Sequence, residues 1–122
     1  MSRAQEVKQI RKHRIAMIEY AGLPERYCKM RIYRIFVGMH GRCEDESRES
    51  YRYYGGRGIK VCDLWSGKDG FFHFYKWSME NGYTDSLTID RIDSDGNYEP
   101  NNCRWATMEV QVQNRKFRKK KQ

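Results

Sequence analysis

The sequence predicts a small α+β domain in which helices precede a strand–loop–strand–helix unit. Three observations carry that expectation. Apolar residues recur at helical spacing over residues 4–21 and again after Gly70. Two short apolar strands, one starting at Leu87 and Ile89 and one at Cys103–Ala106, flank a long polar loop. At 122 residues the chain is one domain with a modest core.

In the first segment Val7, Ile10, Met17, Ile18 and Ala21 form a stripe with basic residues opposite, and Gly22 and Pro24 end the helix. A second helix is expected from about Pro24 to His40. Its apolar residues are Tyr27, Met30, Tyr33, Ile35, Phe36, Val37 and Met39, and its basic residues Arg26, Lys29, Arg31 and Arg34 face phosphate or water. Residues 43–50 are polar loop. Gly55–Gly58 must turn sharply and residues 59–62 alternate as a short strand, so a small β-hairpin is expected here. Glycines let backbone N–H groups approach an anion, which makes Arg57 a candidate phosphate clamp. A plain tight turn carrying an exposed arginine is the commoner case. Tyr51, Tyr53 and Tyr54 suit either stacking on a base or filling a core.

From Gly70 the run FFHFYKWSMENG is an amphipathic helix whose stripe is Phe71, Phe74, Tyr75 and Ser78–Met79, with Gly82 as its C-cap. His73 lies within it; a lone histidine on such a helix is more often packed or solvent-facing than catalytic. Thr107 is an N-cap for a last helix over residues 108–117, with Glu109 in its first turn and Val110 and Asn114 on one face.

Charge is unevenly placed along a chain of net +8. Residues 1–43 hold 10 basic and 3 acidic residues, residues 44–100 hold 7 and 12, and residues 101–122 hold 7 and 1. Two basic ends flanking an acidic middle suit a nucleic-acid protein that holds a cation, although turn and cap acids would give the same middle. No apolar run approaches a membrane span and no signal peptide is expected, so a cytoplasmic or nucleoid setting follows. The four cysteines show no CxxC pair. A zinc site from His40, Cys43, Cys62 and Cys103 competes with core burial of the thiols, and burial is the expectation.

The C-terminal third reads TIDRIDSDGNYEPNNCRWAT from Thr88 to Thr107. Compact folding can bring Asp90 near Asn114, and both offer the hard oxygen ligands that hold Mg²⁺ together with phosphates and water. This segment, with MHGRC (Met39–Cys43), YYGGRGIKVCDLW (Tyr53–Trp65) and QVQNR (Gln111–Arg115), resembles the phage and bacterial HNH-endonuclease-like proteins, especially a group carrying YGGRGI ahead of the nuclease hairpin. The resemblance covers residues 32–115.

The resemblance implies a ββα-metal module, a divalent cation (Mg²⁺ or Mn²⁺) and double-stranded DNA as partner. Asp90 matches the metal-ligand acid, Asn114 the helix residue completing the metal site, and Asn102 the loop residue that braces the hairpin. Domain boundaries follow as basic helices over residues 1–43, an HNH-like domain over 44–118 with its hairpin and helix at 87–118, and a basic tail at 119–122. Arg57, Lys60, Arg104, Arg115, Lys116, Arg118 and Lys119 are the candidate DNA contacts.

Arg91 departs from the pattern, because active members place there the histidine that deprotonates the attacking water. Arginine stays charged at neutral pH and only donates hydrogen bonds, to a scissile phosphate or to Asp93. Asp93, His73 and His40 are then the candidate bases, or metal-bound hydroxide attacks directly. The readings that follow are a metal-dependent DNA endonuclease or nickase and, alternatively, a non-cutting DNA-binding or host-factor-binding protein. A basic ribosomal or RNA-binding protein would leave the acidic hairpin without an account. The N-terminal helix is compatible with an oligomerisation face, a DNA-contact helix or a core wall, and its apolar stripe favours the wall.

Overall fold

The computed structural model describes residues 1–113. It combines three α-helices of eleven residues or more, a run of short 3₁₀ segments, and one two-stranded antiparallel sheet among the described residues, so the α+β expectation holds at that level. The helices are α1 (Arg3–Ala21), α2 (Arg31–Glu44) and α3 (Gly70–Glu80). The strands are β1 (Thr88–Arg91) and β2 (Cys103–Ala106), paired so that Asp90 faces Arg104 and Arg91 faces Cys103. Residues 108–113 are helical after Thr107, whose Oγ1 accepts the Val110 N–H at 3.3 Å. No helix among the described residues is long and apolar enough to cross a membrane.

The core is largely aromatic. Met39, Trp65 and Phe74 are fully buried, and Phe74 reaches both Trp65 (ring centroids 5.0 Å apart) and Trp105 of β2 (5.9 Å). Edge-to-face contacts of this kind add to area burial, so α3 is one element that joins the helical half to the hairpin. Ser78 is also fully buried, and its Oγ donates to the Phe74 carbonyl at 2.7 Å, which satisfies the hydroxyl within the helix. The stripe of α3 runs through Phe71, Phe72, Phe74 and Ser78, whereas Met79 is exposed.

Three expectations change. Helix α2 begins at Arg31, not Pro24, because Tyr27 inserts among Tyr33, Phe71 and Phe72 at 5.4–5.8 Å between ring centroids. That insertion holds residues 27–29 in a 3₁₀ turn. The helix then continues past His40 to Glu44, since Ile32, Met39 and Cys43 all bury on one side of it.

The small hairpin expected near residues 53–62 does not form: β1 and β2 make the only sheet among the described residues. Gly55–Arg57 is a 3₁₀ turn, and residues 59–62 run beside the hairpin loop through one bridge, Val61 to Tyr98. The Cys62 N–H donates to the Tyr98 carbonyl and the Tyr98 N–H to the Lys60 carbonyl, both at 2.9 Å. A Cβ on Gly55 would overlap the Cys43 carbonyl and the Tyr51 ring. Gly55→Ala should therefore cost about 1–3 kcal/mol, seen as a lower urea midpoint, because backbone rather than a flexible side chain must move.

Finally, α1 is not a core wall. None of its residues is buried, and only Met17, Ile18 and Ala21 at its C-terminal end pack on the core. Val7 and Ile10 remain 42% and 68% exposed. The hydrophobic side chains are spaced for a helix, but Ile10 lines an open cavity beside Tyr27 and Phe72.

Candidate functional site around the hairpin

Strand β1 carries Ile89 and Asp90 into the interior, and Asp90 is only 4% exposed. A carboxylate so far from water needs a partner, and Arg104 on the facing strand donates from Nε to its Oδ2 at 3.0 Å. The antiparallel register puts the two opposite each other, so the pair is set by strand alignment. The Ile89 carbonyl accepts from Gln111 Nε2 at 2.9 Å, which ties the helix beginning at residue 108 to the strand. Strand, loop, strand and helix thus meet at Asp90.

The loop between the strands is held by two side chains at its base. Asn102 accepts the Asp93 N–H at 2.9 Å and donates to the carbonyls of Asp93 and Asn97 at 3.0 and 2.9 Å. An amide can do this because it presents acceptor and donors together. Gly96 allows the approach, since a Cβ there would lie 2.6 Å from Asn102 Nδ2. Arg91 closes the same loop from the other strand, Nη1 donating to the carbonyls of Ser94 and Gly96, each at 2.8 Å. Its guanidinium lies over Tyr54 and Tyr98, 5.0 and 5.1 Å from the ring centroids.

Arg42 of α2 lies over those same rings at 5.3 and 5.7 Å and donates to the Tyr98 hydroxyl from Nε and Nη2 at 3.3 and 3.1 Å. Burial pushes the Tyr98 phenol up, and Arg42 opposes the shift. The phenol therefore stays neutral at neutral pH and does not itself offset either arginine charge.

The structure places the other expected site residues as follows. Arg91 reaches loop carbonyls, not Asp93. Asp93 is exposed, and its Oδ1 accepts the Asp95 N–H at 2.9 Å, closing a turn. Arg57 pairs with Asp95 and donates to the Tyr53 carbonyl at 3.2 Å. The N–H groups of Arg57, Gly58 and Ile59 donate to the carbonyls of Tyr54, Gly55 and Tyr54, so the glycine turn spends them internally and offers no anion cradle from them. Lys60 is exposed, with its N–H on Asn97 Oδ1 at 2.9 Å.

His73 packs edge-on against Tyr20 of α1, 6.0 Å between ring centroids. The His40 ring lies between Glu44 and the Trp65 carbonyl, with a nitrogen 2.8 Å from each. Both of its nitrogens are therefore engaged within the fold. Burial pushes the thiols of Cys43 and Cys103 up to about 11 and about 12, and raises that of Cys62. Zinc binds thiolate, so burial works against these cysteines as ligands. Among the described residues no three His, Cys, Asp or Glu side chains gather in a group able to hold a metal. Asn114, Arg115, Lys116, Arg118 and Lys119 lie outside the described residues.

One feature was not foreseen. Arg34 and Arg42 of α2 line a cavity of about 280 Å³ whose other walls include Tyr54, Tyr98, Ile89 and Gln111. Two arginines and two tyrosine rings beside a hairpin make a pocket suited to an anion with a flat or apolar portion. The only hint in the sequence was the basic face of α2, which included Arg34 but stopped short of Arg42. No protein-family model matches the chain, and no curated protein or solved structure matches it either.

Proposed function

We propose that the protein binds double-stranded DNA across the hairpin and the arginine-lined cavity beside it, and that with Mg²⁺ or Mn²⁺ it cuts or nicks the strand. The observation that supports this most is Asp90, a buried carboxylate on β1 where hairpin and helix meet, with the two cavity arginines beside the same strand. Mg²⁺ keeps several waters and takes one or two protein carboxylates plus substrate phosphates, so a site need not gather three acids. Asp90 is of the right chemistry, and Asn114 is the second ligand that the HNH-like reading assigns. Arg104 already holds Asp90 Oδ2, so a cation has to share this carboxylate with the guanidinium. When bound, the cation would lower the pKa of a coordinated water and offset phosphate charge. The chain's own part is to supply Asp90, to meet phosphate with Arg34 and Arg42, and to hold the loop through Asn102 and Arg91.

A second reading, a DNA-binding protein that does not cut, is favoured by one observation. The position where an HNH nuclease keeps its base carries a side chain committed to the Ser94 and Gly96 carbonyls.

Supercoiled-plasmid nicking in Mg²⁺, Mn²⁺ and chelator separates the two. Nicking that needs metal and falls on the order of 100-fold or more in both Asp90→Ala and Asn114→Ala supports the nuclease. Circular dichroism of each variant guards against simple unfolding. Plasmid retarded on the gel but uncut in either metal supports the binder. No retardation at low salt overturns both.

A further inference from the structure

We infer that α1 is a second DNA-contacting element, a basic helix that lies in the major groove of the duplex bound by the hairpin face. The inference rests on the duplex-binding reading above.

Residues 3–16 of α1 are exposed throughout, and they carry Arg3, Lys8, Arg11, Lys12 and Arg14 against one acid, Glu6. His13, paired with Asp69 at 2.7 Å, makes the only ion pair of this segment among the described residues. Arg14 lies 5.7 Å over the Tyr27 ring. The cations sit in the half of the helix where the macrodipole is already positive, an arrangement that works against the helix's own stability. A capping box between Ser2 and Gln5 holds the end, through bonds of 2.8 and 3.2 Å. The result is a long helix whose N-terminal half is exposed and strongly positive and meets the rest of the chain through His13 and Arg14.

Two occupants suit an exposed helix, and charge decides between them. A second copy would set one +4 segment (five cations, one acid) against another. Its apolar face is also interrupted, because Arg3 and Arg14 fall four residues from Val7 and Ile10 on the same side. A polyanion meets neither objection. Among polyanions a groove fits best: Lys12 is nine residues from Arg3, half a turn round the helix at about 100° per residue, with Lys8 and Arg11 between. Cations over half the circumference match phosphates on the two walls of a groove, whereas a flat anionic surface needs them on one side. A helix about 10–12 Å across matches a major groove about 12 Å wide.

The test is fluorescence anisotropy of a labelled duplex of about 25 base pairs across about 50–200 mM salt, with the full chain and with Arg3, Lys8, Arg11 and Lys12 all changed to Gln. Glutamine keeps helix propensity, and circular dichroism checks that the helix remains. We expect affinity at low salt to fall at least about 10-fold and the slope of log K against log salt to flatten by about 2–4, as that many phosphate contacts are lost. Arg42→Gln should weaken binding separately. If wild type binds and the Gln variant matches it in affinity and slope, α1 makes no contact and the inference fails while the hairpin reading stands. If wild type binds no duplex, both fail. If sedimentation shows a dimer that the Gln variant or Ile10→Ser breaks, with duplex affinity unchanged, α1 is a self-association face and the inference fails.

Discussion

Placing histidine at position 91 should weaken the protein by about 3 kcal/mol and leave any nicking no faster. Arg91 gives both hydrogens of Nη1 to the Ser94 and Gly96 carbonyls and covers the Tyr54 and Tyr98 rings. A hydrogen bond from a charged donor contributes about 1.5–3 kcal/mol and a cation–π contact about 0.5–2, and the contributions here share one side chain, so they do not add fully. Histidine is too short to reach both carbonyls and would leave them facing the loop without a donor. Arg91→Lys should fall between the two, since an ammonium keeps the charge without the flat face. Urea midpoints of the three proteins measure the order. A histidine variant as stable as wild type, and faster at nicking, would mean that Arg91 merely fills a catalytic position and that the loop does not depend on it.

That prediction shows where the sequence was legible and where it was not. Local signals read correctly. Gly22 ends α1, Thr107 caps the last helix, and Cys103–Ala106 is the second strand, because caps and strand boundaries depend on neighbours within a few residues. The departures depend on the tertiary arrangement and not on neighbours within a few residues. Tyr27 delays α2 because Phe71 and Phe72 lie more than forty residues away. Arg57 meets Asp95, a contact between turn and loop that its neighbours in the sequence do not reveal. The spacing of Val7 and Ile10 predicts a buried stripe, but periodicity states which side chains share a face and not whether a core extends that far.

The charge pattern behaves similarly. The acidic middle is largely consumed within the fold, Asp45 on Ser47, Asp93 in its turn and Asp95 on Arg57, with Asp90 paired across the sheet. Net charge by segment could not distinguish these uses from a metal site, since both place carboxylates at strand ends and turns. Of the acidic residues weighed for the site, Asp90 alone is buried. Its removal from water is costly unless the strand pairing and Arg104 are formed, so the acid that the proposed metal site would use is also the one that depends most on the fold.

The largest pH effect should come from the thiols. Cys103 and Cys43 are pushed up from 9.0 to about 12 and about 11 by burial, with Arg91 among the groups opposing the shift in each case. The folded chain thus keeps protons that the unfolded chain releases once pH passes the ordinary thiol value. The stabilisation is fully present below about pH 9 and is lost as pH rises through about 11 for Cys43 and about 12 for Cys103. Each thiol contributes a slope of about 1.4 kcal/mol per pH unit within that window, so the pair should remove about 2–3 kcal/mol by pH 10. Cys62 and Tyr98, raised by burial too, act in the same direction. For a domain whose total stability is about 5–15 kcal/mol, this is a large share. Urea midpoints from pH 7 to 10 should hold level to about 8.5 and then fall, and Cys103→Ala should give a lower but flatter curve. A thiol reagent should label exposed Cys28 at once in the native protein at neutral pH, and the two buried thiols only on unfolding. A midpoint that stays level to pH 10, with rapid labelling of all four, would show that the thiols are not held in the core, and would reopen the cysteines as metal ligands.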